Sequence, residues 1–278
     1  MPESLLEGLV LTLRPLGEHD RLLTLLSEEE GLVRLAVPGA RRPKSSLAAA
    51  LPLSLLRLQV GGRGELRRVR QLQLLRSHSG LGQRLDSLAA AQALVELVLA
   101  LVPLGQPAPG LLADLLLQLE RLEQVVRDRR ERREALMVAV QGSVHLLALG
   151  GFALPLQRCA RTGAALQPPL GDWSWRCSLL PGEGLAIGAI PGARVLLNAS
   201  ELALLQRLPR PATPRRRDGE LMGPAPVWLH LLELVELWCR EHMGRSPRAF
   251  RLLRQCFEAM PGGGSSRSDD SPSPRGER

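Results

Sequence analysis

Three cations within four residues, Arg41, Arg42 and Lys44, stand directly before two hydroxyls, Ser45 and Ser46. Side chains of these types suit phosphate oxygens, which accept hydrogen bonds from guanidinium, ammonium and hydroxyl groups alike. Lys44 stands out because every other cation of the chain is an arginine. Arg34 precedes the group, and Arg63, Arg67, Arg68 and Arg70 follow it. Any one of these eight reads as ordinary solvated surface. As a set they are the candidate contacts to a nucleic-acid backbone.

The residues around them suggest how they are held. Val33, Leu35 and Val37 alternate with smaller or charged residues, which fits a half-buried strand. Pro38-Gly39 punctuates its end and begins the basic loop. Similar alternation runs from Glu7 to about Ser77, over Leu9, Leu11 and Leu13 and again over Leu56, Leu58 and Val60, with turns such as Gly61-Gly62-Arg63-Gly64. Short strands at this spacing predict a small β-barrel or sandwich. Leu22 to Leu26 suits a helix equally well, but the Glu28 to Gly31 turn favours a hairpin. If Arg68 and Arg70 share a strand face, they and the loop cations could follow a backbone. The break in alternation near Arg67-Arg68 is a candidate bulge, which leaves that facing open. No Phe, Trp or Tyr occurs before Phe152. Binding through this region would be electrostatic, salt-dependent and poorly selective, without base stacking.

After about Gly82 the period becomes helical. Leu112, Leu115, Leu116, Leu119, Leu122 and Val126 form one stripe, with Asp114, Gln118 and Arg121 largely opposite. Leu136, Val140, Val144 and Leu147 form a second, which stops at Gly150-Gly151. Asn198 or Ser200 could cap a short helix ending before Pro209. Pro226 opens another through Trp228, Leu231, Leu232, Val235 and Trp238, closed by Gly244. The expected organisation is therefore α+β. A β-module over 1–80 precedes an all-helical domain over 81–259 with an insert at about 155–195. The stretch 260–278, rich in Gly, Ser, Pro and charge, reads as a disordered tail.

Composition narrows the function classes. The chain has 278 residues, a formal net charge of +8 and 45% hydrophobic residues, with an isoelectric point near 10.8. That balance fits an anionic partner, although arginine bias contributes to it. Met1 to Glu7 lacks the basic segment of a signal peptide. Leu94 to Val102, interrupted by Glu96, is too short to cross a bilayer. Four scattered cysteines make no disulfide framework. A cytoplasmic protein is expected.

No catalytic constellation emerges. GxxxxGK[ST] is absent, so no phosphate-binding P-loop is expected and no ATP requirement. Glu18, His19 and Asp20 resemble an acid-base trio, but adjacent side chains on a strand face opposite ways. His78 and His145 are isolated and read as surface or core residues. Cys239 and His242 are spaced i,i+3, yet Cys239 continues the apolar stripe from Trp228. Arg127, Arg129, Arg130, Arg132 and Arg133 interleave with Asp128, Glu131 and Glu134, the pattern of a solvated helix face. The other reading is a basic rim beside an apolar groove, able to hold an acidic peptide with an apolar end. Arg215 to Arg217, flanked by prolines, reads as an exposed loop. No cofactor and no metal are expected.

Several motifs in register carry a resemblance. LRPLGEHDRLLTLLSEEEGLVRLAV leads into GARRPKSSLAAALPLSLLRL and then GRGELRRV, and HMGRSPRAFRLLRQ follows at His242 to Gln255. Together these resemble the bacterial recombination mediators of the RecO family, densely over residues 5–80 and more weakly through the helical region. The resemblance implies that the β-module is an OB-fold, which periodicity alone does not choose over other small barrels. It implies binding of single- and double-stranded DNA, annealing of complementary strands and recombinase loading with a RecR-like protein. It further implies docking of the acidic C-terminal tail of single-stranded DNA-binding protein on the helical domain. Some relatives carry a CxxC…CxxC zinc module in the insert. Here Thr162 stands where a second thiolate after Cys159 would fall, and Cys177 has no CxxC partner. Two thiolates do not close a tetrahedral site. A zinc-ribbon-like insert without metal is expected, held by residues such as Trp173 and Trp175. The alternative function is a non-catalytic adaptor that binds a protein partner through its helical domain. A nuclease would need a carboxylate cluster that the sequence does not offer.

Overall fold

The computed structural model describes residues 3–62 and 66–258. Arg63 and the expected disordered tail at 260–278 lie outside the described residues.

The N-terminal part is a closed five-stranded barrel. Its strands are β1 (Glu3–Leu16), β2 (Asp20–Ser27), β3 (Gly31–Val37), β4 (Ser54–Gly61) and β5 (Leu66–Ser77). They close in the order β1-β2-β3-β5-β4, with β3 and β5 parallel and all other pairs antiparallel. This is an OB-type barrel. Leu22 to Leu26 lies in β2, as the hairpin reading expects. Val33, Leu35 and Val37 point inward with Leu56, Leu58 and Val60, so alternation located this core correctly. Leu9, Leu11 and Leu13 do not share a face as expected. A β-bulge between Val10 and Thr12 shifts the register of β1. Val10 and Leu13 face the barrel interior, whereas Leu9 and Leu11 face outward, against the helices.

A 3-10 turn at Ser79–Gln83 leads into the helical part. Helices α1 (Leu85–Leu101), α2 (Leu111–Arg127) and α3 (Arg132–Leu149) pack together. α3 is buried on nearly all sides, from Glu134 to Val144 and again at Leu146 and Leu147. Gln118 on α2, read as lying opposite the apolar stripe, is fully buried. It faces Gly142 of α3, where an added Cβ would come within 2.9 Å of its Cγ.

Beyond α3 the chain forms a small sheet of β6 (Cys177–Leu180), β7 (Gly184–Ile187) and β8 (Leu196–Leu197), in the order β7-β6-β8. Next come α4 (Ala199–Leu205), α5 (Ala225–Met243) and α6 (Ala249–Glu258). Asn198 caps α4 through a reciprocal pair with Glu201. Pro226 lies in the first turn of α5, and Gly244 ends it at φ 69°. No described helix is long and apolar enough to cross a membrane.

One apolar core unites the two parts. Leu9, Leu11, Leu26, Leu32 and Leu53 of the barrel belong to the same buried cluster as Leu94, Val98 and Val102. Gly105 N donates to Leu32 O at 2.9 Å, and Gly110 N donates to Glu28 Oε1 at 2.7 Å. The β2–β3 turn thus seats the barrel against the helices.

Candidate nucleic-acid interface

The basic loop is held by its apolar residues and presents its charged ones. Ala40, Leu47 and Ala50 enter the barrel core and stopper one end of it. Asp20 Oδ1 accepts the Gly39 N–H at 2.8 Å, and the Arg41 N–H donates to His19 O at 3.0 Å. Ser45 Oγ accepts from Leu47 N at 3.2 Å. With both ends tied down, Arg41, Arg42 and Lys44 are left exposed. The Arg41 guanidinium donates to Gly17 O at 3.1 Å, whereas Arg42 and Lys44 have no ion pair among the described residues. Lys44 adopts φ 61°, a left-handed conformation unusual for a side-chain-bearing residue. Glu18, His19 and Asp20 form the turn that receives this loop. His19 lies 3.9 Å from Glu18, both largely exposed, while Asp20 is occupied by the loop.

The strand register fixes which arginines share the outer barrel face. One row crosses four strands as Arg14, Leu22, Ala36 and Arg68, and the next as Thr12, Thr24, Arg34 and Leu66. Arg14, Arg34 and Arg68 are exposed there. Arg68 lies 4.0 Å from Asp20, beside the basic loop. Arg70 is the extra residue of a β5 bulge and lies next to Gly61. The register of β5 against β4 slips at Arg70 and again at Leu75, not at Arg67-Arg68. Arg67 is turned toward the β2–β3 turn, where Glu30 holds it through two hydrogen bonds of 3.1 and 2.5 Å. Arg34, Arg41, Arg42, Lys44, Arg68 and Arg70 therefore remain exposed, while Arg67 is engaged.

The second arginine run is not one helix face. It spans the link between α2 and α3, and most of its members tie elements together. Arg130 pairs with Asp128 and Glu134, and Arg133 with Glu131 and Glu220. Arg132 donates to Cys256 O and stacks over Phe257. Arg215, read as a loop residue, pairs with Glu134 at 2.5 Å.

In the insert, the Ile187 N–H donates to Cys159 Sγ at 3.4 Å, and Ile187 pairs with Cys177 across β6 and β7. Burial alone would raise the Cys159 pKa. Hydrogen bonds from the Thr162 hydroxyl and from nearby backbone N–H groups bring it down to about 7. Burial and the neighbouring Cys159 push Cys177 up to about 12. Among the described residues no three His, Cys, Asp or Glu side chains converge as a metal site. Trp173 does not hold the insert, since it is 84% exposed; Trp175 packs against the core as expected.

Sequence reading missed three exposed arginines. Arg14 lies on the outer barrel face, and Arg245 and Arg248 lie in the α5–α6 link. Arg14 stands in LRPLGEHD, and Arg245 and Arg248 in HMGRSPRAFRLLRQ, two motifs that marked resemblance without giving these residues a role.

Comparison with known proteins accounts for both parts of the chain. Residues 1–78 match the family model "Recombination protein O N terminal", and residues 82–251 match "Recombination protein O C terminal". A DNA repair protein RecO from Synechococcus sp. (strain WH7803) is 63% identical over 257 residues, covering 92% of this chain and 95% of that protein. One from Prochlorococcus marinus (strain MIT 9303) is 62% identical, covering 92% and 96%. A more distant one from Trichodesmium erythraeum (strain IMS101) is 31% identical, covering 88% and 92%. With its OB-type barrel, its helical domain and these matches along nearly its whole length, the chain belongs to the RecO family of DNA repair proteins.

Proposed function

We propose that this protein is a non-catalytic recombination mediator that binds single- and double-stranded DNA through the cationic face and basic loop of its barrel. By neutralising phosphates on two strands it lowers their repulsion, releases counterions and anneals complementary strands without ATP. It works with a RecR-like protein to load recombinase on DNA coated by single-stranded DNA-binding protein, whose acidic tail docks on the helical domain. The observation that carries this reading is the exposure of Arg34, Arg42, Lys44 and Arg70 without ion pairs among the described residues. Unpaired arginines fork onto phosphate oxygens at little desolvation cost. Arg67, already held by Glu30, adds to the field rather than by contact, and Arg63 is proposed on sequence alone.

The test is fluorescence anisotropy of labelled single- and double-stranded oligonucleotides across a salt series. Changing Arg41, Arg42 and Lys44 to Glu is expected to weaken both complexes and flatten the salt dependence. Each lost phosphate contact lowers the slope by about 0.7 on single strands and about 0.9 on duplex. Unchanged affinity and slope would remove the loop from the mechanism. The adaptor alternative draws on a different feature, an apolar groove of about 490 Å³ between α2, α3 and the segments at 153–157 and 209–211. It predicts little DNA affinity at physiological salt and intact binding of a protein partner.

A further inference from the structure

Two adjoining clefts, of about 400 and 480 Å³, lie where the barrel meets the helices, and both are lined by Thr12, Arg14, Leu99 and Arg245. On the barrel side, Arg14 and Arg34 belong to the two outer-face rows already described, with Thr12 and Thr24 beside them. On the helical side, Arg245, Ser246 and Arg248 face them from the α5–α6 link. All four arginines are exposed, and among the described residues none has an ion pair. Glu96, the one carboxylate among the described residues lining either cleft, is turned toward the start of α6, where its Oε2 accepts the Ala249 N–H at 3.1 Å. Against four arginines it leaves the cleft cationic. The floor, with Leu99, Val102 and Leu104, is apolar.

Four unpaired cations on two facing walls, above an apolar floor, call for an anion with an apolar body. We propose that this cleft holds a single nucleic-acid strand that leaves the barrel's outer face past Arg14 and Arg34 and passes under Arg245 and Arg248. Phosphates meet the arginines and hydroxyls of the walls, while sugars and bases lie on the leucine and valine floor. The volume matches that of a site for a small ligand, room for a nucleotide or two and not for a duplex. An acidic peptide is the other anion with an apolar body. The continuity of the cleft's cations with Arg68 and the basic loop favours the extended strand, because a backbone presents charge at regular intervals along such a track.

The inference rests on the reading that the barrel binds DNA, and the test separates the two. Anisotropy of labelled oligothymidylate is followed across a salt series for the full chain and for three variants. One carries Arg41→Glu, Arg42→Glu and Lys44→Glu; the second carries Arg245→Glu and Arg248→Glu; the third carries the milder Arg245→Gln and Arg248→Gln. The cleft variants are expected to reduce the slope by about 1.4, two contacts at about 0.7 each, with an unchanged melting temperature. If only the loop variant lowers the slope, the cleft proposal fails and the barrel reading stands. If only the cleft variants lower it, the cleft stands and the loop is not a contact. If neither does, both fail. Should the cleft variants instead lose an Asp-rich peptide ending in Phe while holding oligothymidylate normally, the cleft is a peptide site and the proposal is overturned.

Discussion

Burial sets His78 against its own protonation. Its side chain is fully buried, Nδ1 lies 3.0 Å from Glu123 Oε1, and Nε2 has no partner among the described residues. Burial pushes its pKa below the usual histidine range, and the nearby carboxylate only partly offsets this. An unfolded histidine takes up a proton near pH ~6.5, whereas this one does so only at lower pH. As pH falls through ~6.5 the unfolded state binds the extra proton and stability is lost. His230 has the opposite sign. Its hydrogen bond to Glu201, at 2.9 Å, raises its pKa. That contribution is complete below ~6.5 and is lost as pH rises through the folded value. Melting temperatures from pH ~5 to ~8 should show this in two variants. His78→Asn should lessen the acid-side loss, and the advantage of wild type over His230→Gln should shrink as pH rises. A wild-type acid limb in His78→Asn would rule out that histidine as the source.

The β2–β3 turn locks the barrel to the helices through a residue that has no side chain. Gly31 has φ 64°, and a Cβ added there would lie 1.8 Å from the Gln106 carbonyl oxygen. Gly17 has the same φ of 64° but open space around it. Gly17→Ala therefore measures backbone strain alone, about 1 kcal/mol. Gly31→Ala adds a collision that only movement of the seat relieves, on the order of 2 kcal/mol more. Urea midpoints of the two variants test this, and equal losses would mean that the seat yields freely. The turn itself was legible in the sequence as an acidic segment ending in glycine, as were the inward faces of β3 and β4. The OB order of the strands was not, because periodicity reports facing and not pairing; the family resemblance supplied it. Leu9 and Leu11 were misassigned because a bulge leaves no trace in composition. Gln118 was misassigned because its amide is satisfied inside the protein, donating to Asp114 Oδ1 and accepting from the Arg121 guanidinium, both at 3.2 Å, while Gly142 leaves room for its stem. Of the candidate site, the loop cations could be read from local spacing. Arg14 and Arg245 could not be joined by reading, since the fold alone brings them to one cleft.

At the scale of the whole molecule, the shared core makes a specific demand on unfolding. Leu9, Leu11, Leu26, Leu32 and Leu53 are each at most 7% exposed, and all belong to the cluster built around the helices. Burial of a leucine side chain is worth about 1.5–3 kcal/mol relative to leaving it in water. Detaching the barrel would forfeit several such contributions together with the hydrogen bonds of the β2–β3 turn. A chain of 278 residues exceeds the usual size for all-or-none unfolding, so cooperativity is not the default outcome. Calorimetry is nevertheless expected to show one transition, with calorimetric and van't Hoff enthalpies in agreement. Leu11→Ala, which opens a cavity in the joint core, should cost about 2–5 kcal/mol and move that whole transition downward without splitting it. Two transitions, only the lower of which responds to Leu11→Ala, would mean that the barrel unfolds on its own. The walls carrying Arg14 and Arg245 would then be free to separate, and a cleft lined from both sides would lose the fixed geometry that strand binding requires.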